Sequence, residues 1–228
     1  MNYRSMIASL ATGIMLAGCS PDTGRIASPS PLLTVAKRAF TGGSANSSAA
    51  TLYVGYWSGV AAFDLSSYKL LRTYSGVDYA QGLAEDGSGD LYVTSSDPNE
   101  VLEFAAGSTK LIRTITKGIS TPVDIAVSPK GDLYVSNQDY GGLAGDVSVY
   151  SPNGKLIKSI TKGIKQPYHI TFDSAGNLYV ANPPDNDVLV YRNGEGKLTK
   201  TIETVGVIPE NILVDSTGNE VARPSWMN

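Results

Sequence analysis

His169 is the only histidine in the chain, and it opens the apolar segment His169-Ile-Thr-Phe-Asp. Two other segments place an oxygen donor at the same point: Asp124-Ile-Ala-Val-Ser, and Asn211-Ile-Leu-Val-Asp, which Glu210 precedes. If these segments lie in register, Asp124, His169 and Asn211, joined by Glu210, form a set of oxygen ligands plus one imidazole. Such a set suits a hard divalent cation such as calcium. The same residues suit a plainer role, in which each hydrogen-bonds the start of a strand. Serine chemistry has little support: no Gly-x-Ser-x-Gly motif precedes a helix, and His169 would be the only base. The Gly-rich run from Gly141 to Asp146 lies between two strand-like segments, with no helix N-terminus to receive a phosphate. No catalytic residue is assigned, and outside the metal reading no cofactor is expected.

A second kind of chemistry is aromatic. Tyr56, Trp57, Tyr79, Tyr140 and Tyr168, with the amides Asn137 and Asn182, fall in one class of loops. The other class, such as Ser151-Pro-Asn-Gly-Lys155 and Asn193-Gly-Glu-Gly-Lys197, consists of turn residues, with Tyr68 as its aromatic. Aromatic area and hydrogen-bonding groups on one face predict a site for a protein segment, a glycan or a small polar ligand. The alternative is that the rings cap strand ends.

A repeat must position these residues. Leu-Tyr-Val recurs at Leu52, Leu91, Leu133 and Leu178, so its tyrosines, Tyr53, Tyr92, Tyr134 and Tyr179, are spaced 39, 42 and 45 residues apart. A turn carrying Gly89, Gly131 or Gly176 precedes three of these phrases, each glycine being available for positive φ. Two further strand-like runs follow each of the last three, such as Val147-Ser-Val-Tyr150 and Leu156-Ile-Lys-Ser-Ile160. Four short antiparallel strands in about forty residues, with no helix-length amphipathic segment, predict an all-β fold, a β-propeller of about four four-stranded blades. Consecutive Leu, Tyr and Val fit a strand buried on both faces.

The count comes to sixteen strands: three in the first unit, four in each of the next three, and one from Asn211. Closure into four blades needs that last strand to complete the first blade. Otherwise the repeats form an open arc of a larger propeller with an exposed edge. At the final repeat Glu220-Val221-Ala222 stands where Leu-Tyr-Val is expected.

The pattern Pro-x-x-Ile followed by Gly-Asn/Asp-Leu-Tyr-Val-x-Asn, with Pro122, Pro167 and Pro209 at its proline, resembles NHL repeats and the gluconolactonase-like six-bladed propellers over residues 51–219. The resemblance implies architecture, since such folds host unrelated functions. It also implies a rival activity, a metal-dependent lactonase or lyase. Gluconolactonase-like enzymes hold a divalent ion with carboxylate and amide oxygens, whereas the related lyases use several histidines or a histidine and carboxylate set, and this chain has one histidine.

The N-terminus has one basic residue, Arg4, an apolar run from Met6 to Leu16, and then Leu16-Ala17-Gly18-Cys19. It resembles a bacterial lipoprotein signal peptide with its lipobox. The implied organisation is a signal peptide over 1–18, an acylated Cys19 with a Ser-, Pro- and Gly-rich tether over 19–50, and the repeats over 51–228. Within the tether, 32–40 reads as a short helix or an edge strand. The resemblance implies export to the cell envelope and a lipid-anchored contact with the membrane. A net charge of −3 gives no reason to expect nucleic acid. The function carried forward is a binding or interaction module; the alternatives are the metal-dependent enzyme and a truncated fragment without independent activity.

Overall fold

The computed structural model describes residues 34–37, 50–139, 144–215 and 220–224. Cys19, the signal segment and Tyr140 lie outside the described residues. Four antiparallel sheets follow one another along the chain. Blade 1 contains β1 (Thr34–Lys37), β2 (Thr51–Tyr56), β3 (Gly59–Asp64) and β4 (Leu70–Tyr74). Blade 2 contains β5 (Ala80–Glu85), β6 (Leu91–Ser95), β7 (Glu100–Phe104) and β8 (Leu111–Ile115). Blade 3 contains β9 (Pro122–Val127), β10 (Leu133–Asn137), β11 (Asp146–Tyr150) and β12 (Leu156–Ile160). Blade 4 contains β13 (Ile170–Phe172), β14 (Leu178–Asn182), β15 (Asp187–Tyr191) and β16 (Leu198–Glu203). In each blade every strand pairs with the next in sequence, giving a four-stranded meander. A two-stranded sheet of β17 (Pro209–Val214) and β18 (Glu220–Pro224) ends the series.

The second strands β6, β10 and β14 are buried from end to end, because both faces of each blade pack against other residues. The fourth strands carry exposed positions such as Leu111, Ile112 and Ile157. The core is therefore a series of seams between blades. Tyr92, Val101, Ile115, Ile125, Leu133 and Tyr150 fill the seam between blades 2 and 3. Tyr134, Val147, Ile160, Ile170, Leu178 and Tyr191 fill the one between blades 3 and 4. The turns before β6, β10 and β14 share one geometry, in which Gly89, Gly131 and Gly176 take φ of +88°, +86° and +82°.

The strand count differs from sixteen at both ends. β1, from within the segment read as tether, pairs with β2 and supplies the first strand of blade 1. At the other end β17 pairs with β18 and not with blade 1. The last strand therefore does not complete the first blade, and the sheets form an open arc.

One buried acid interrupts the apolar seams. Glu103 on β7 is 3% exposed, lies opposite Tyr92 on β6, and meets Arg113 Nε at 3.2 Å. Burial raises its carboxyl above the ordinary range, an effect that the Arg113 charge opposes. An acid whose pKa is higher in the folded state weakens the fold as pH rises from the unfolded value towards the folded one. Glu103→Gln should remove this dependence on pH. In paired urea titrations, wild type should lose stability relative to the variant as pH rises above about 4.3, the ordinary glutamate value. Parallel pH profiles would show that Arg113 neutralises the acid fully.

Candidate functional site

Connections into a first strand and hairpins between second and third strands share one face, here called the top. Trp57 occupies the tight β2–β3 turn, and Tyr79 the loop into β5. The Trp57 carbonyl accepts the Tyr79 N–H at 2.9 Å, and Tyr79 takes a φ of +55°. These constraints bring the two rings to 3.7 Å between centroids at 47°. Trp57 is 55% exposed and Tyr79 38%, so the pair meets solvent as one apolar surface. Tyr56 is half-buried beside it, at the end of β2. Tyr168 is drawn inward instead, packed against the cluster of Tyr179, Ala181, Val188 and Ile212.

Asn137 and Asn182 occupy the same place in successive repeats, the last residue of β10 and β14, and both are buried. Asn137 accepts the Ser120 N–H at 3.1 Å and donates to Gly118 O at 3.2 Å and Asp146 Oδ1 at 2.7 Å. Asn182 accepts the Lys165 N–H at 2.9 Å and donates to Gly163 O at 3.4 Å and Asp187 Oδ1 at 2.8 Å. Each amide thus clasps the connection leading into its own blade and the acid at the head of the third strand. A tyrosine holds the same connection from the other side: Tyr150 donates to Lys117 O at 2.8 Å and Tyr191 to Lys162 O at 2.6 Å. Burial pushes the Tyr150 hydroxyl up to about 12. In blade 2, Ser95 stands at the position of the amide and bonds its own connection through Asp78 N and O, and the carbonyl of Asp97 at 3.1 Å in the hairpin that follows.

The first strands line up as the repeat predicts. Ser136 Oγ accepts the Asp124 N–H at 3.0 Å, Thr94 Oγ1 accepts that of Gly82 at 2.6 Å, and Ala181 N bonds His169 O at 3.0 Å. Gly82, Asp124 and His169 are therefore equivalent positions. Asp124 Oδ2 accepts the Ile170 N–H at 2.9 Å and lies 3.5 Å from His169 Nε2. The His169 N–H in turn donates to Glu210 O at 3.3 Å. Glu210 thus contributes its carbonyl, and Asn211 is exposed on β17. His169 Nδ1 is buried without a partner, and Nε2 faces Asp124, so the ring turns neither nitrogen freely to solvent. Among the described residues no group of three or more His, Cys, Asp or Glu converges as metal ligands. The pair supplies two donors, and no metal-dependent step is derived from it.

The opposite, or bottom, face holds a feature that loop composition did not suggest. A cleft of about 200 Å³ opens between blades 3 and 4 beside the turns at 128–132 and 174–176. Its charged lining could have been found by aligning the repeats position by position.

No family model and no curated protein matches the chain. Solved structures do. The WD40 β-propeller domain of Doa1 superposes with a TM-score of 0.66 at 15% identity, over 77% of this chain and 57% of that one. The fold is a β-propeller. Virginiamycin B lyase from Staphylococcus aureus, in a catalytically inactive variant with quinupristin, gives 0.62 at 14% identity, over 78% of this chain and 67% of the lyase. Hydrazine synthase of Kuenenia stuttgartiensis gives 0.58 at 17%, over 67% and 45%. The propeller arc described here thus spans little more than half of the WD40 domain.

Proposed function

We propose that this propeller is an exported, lipid-anchored binding module of the bacterial cell envelope, with NHL-like repeats and with Cys19 as the acylated residue. The observation that carries the binding role is the solvent-facing Trp57–Tyr79 pair. Two rings held by backbone constraints present apolar area at little entropic cost, which suits the face of a sugar ring or an apolar peptide side chain. The ligand class is a protein segment, a glycan or a small polar molecule, bound on the top face. Glycan and peptide arrays probed with wild type and Trp57→Ala test this. The variant should lose capture while changing stability by no more than about 0.5 kcal/mol, as expected for an exposed side chain. Capture that survives the substitution would remove the aromatic pair from the site.

A second reading rests on the Asp124–His169 contact together with the similarity of this fold to virginiamycin B lyase. A metal-dependent lyase would lose turnover on chelation and in His169→Ala. A binding module would be indifferent to chelator.

A further inference from the structure

The seams between blades 2 and 3 and between blades 3 and 4 are built from equivalent residues that differ at three points. In the first seam Glu103 lies opposite Arg113, which meets it at 3.2 Å and donates from Nη1 to Pro152 O at 3.2 Å. The arginine fills the space over Gly154, where an added Cβ would lie 2.7 Å from it. In the second seam the corresponding pair is Val149 and Lys158. The valine cannot hold the lysine, and the space stays open as the cleft.

The third difference concerns Asp132. At its position in blade 2, Asp90 Oδ1 accepts the Ala106 N–H at 2.8 Å; in blade 4, Asn177 Oδ1 accepts that of Asn193 at 3.3 Å. In blade 3 the would-be donor is Pro152, which has no N–H. Among the described residues the Asp132 carboxylate accepts no hydrogen bond, and Lys130 and Lys158 form no ion pair. Lys130, Lys158, Asp132 and Glu195 all line the cleft, with Val149 and Ile157 as apolar wall. Tyr134 lies beneath, bonded to Gly194 O at 3.1 Å. Burial, reinforced by the charges of Asp132 and Glu195, pushes its hydroxyl up to about 12.

We propose that the cleft between blades 3 and 4 binds a small zwitterion bearing an ammonium, a carboxylate and an apolar side group, the chemistry of a free amino acid. Its carboxylate meets Lys130 and Lys158, its ammonium Asp132 and Glu195, and its side group the Val149–Ile157 wall. The volume is below the roughly 300 Å³ at which pockets for drug-sized ligands begin, which limits the occupant to this size. The site is on the opposite face from the Trp57–Tyr79 pair and does not depend on it.

The test is saturation-transfer NMR on the full chain with L-leucine, N-acetyl-L-leucine, which keeps only the carboxylate, and L-leucinamide, which keeps only the ammonium. Leucine should bind with a dissociation constant of about 1 mM, and each single-charge analogue about tenfold more weakly. Lys130→Gln with Lys158→Gln should weaken leucine about tenfold while leaving leucinamide unchanged. Asp132→Asn should do the reverse, weakening leucinamide and leaving N-acetyl-leucine unchanged. These side chains are solvent-accessible, so the variants should unfold in urea as wild type does. No transfer to leucine at about 20 mM, equal binding of leucine and either analogue, or binding insensitive to all three substitutions would each overturn the proposal.

Discussion

Asn137→Ala is expected to lower stability by about 2 kcal/mol, the value appropriate to a buried amide whose loss leaves one backbone donor unpaired and weakens two further hydrogen-bonded groups. The substitution strands the Ser120 N–H and removes the amide's bonds to Gly118 O and Asp146 Oδ1, which then keep only Ser148 Oγ, at 2.8 Å from the carbonyl and 3.3 Å from the carboxylate. Water cannot readily replace it, since Asn137 is 2% exposed. Urea unfolding would show a lower midpoint with an unchanged slope if the loss is confined to the clasp. Asn182→Ala should behave alike, because its partners are the equivalent groups one repeat later. A loss below about 0.5 kcal/mol in both, the range of unimportant surface changes, would mean that the connections hold without their amides.

Gly82→Ala should cost about 2 kcal/mol through overpacking. The first strands of blades 2 and 3 approach so closely that a Cβ on Gly82 would lie 2.7 Å from both Asp124 Cα and Ile125 N. Those atoms are backbone, so relief requires β9 to move away from β5. Gly87→Ala provides the control, since nothing lies within 4 Å of its Cβ position. Thermal unfolding of both variants would separate crowding from the general effect of removing a glycine. A Gly82→Ala protein as stable as the control would show that the seam can widen freely.

Most of the architecture was legible because it depends on local repetition. Leu-Tyr-Val, the turn glycines and the prolines two residues before Asp124, His169 and Asn211 recur from unit to unit, and the structure places Gly89, Gly131 and Gly176 in one turn geometry. β1 was harder to read: Thr34-Val-Ala-Lys37 carries none of the repeated phrases, and its strand state comes from the free edge that β2 offers it. For the site, the shared register of Asp124 and His169 followed from the sequence, as did the shared top face of Trp57 and Tyr79. Polar residue types could not show which way Asn137 and Asn182 turn, because an amide at a strand end suits a ligand and a loop carbonyl equally well. The cleft between blades 3 and 4 was illegible from loop composition. It depends on the exchange of a Glu–Arg pair for Val149 and Lys158, and of Ala106 for Pro152.

The clasp also bears on how such a chain can grow. Asn137 reaches back to 118–120 and Asn182 to 163–165, so the clasping residue and the loop it grips are both encoded within one repeat. An in-frame duplication of about 45 residues beginning at Gly118 would carry a complete clasp with it. Its junctions would restore the same neighbours on either side. Recombination within the gene can therefore add or remove a whole blade with its clasp intact, up to the number at which the arc would close on itself.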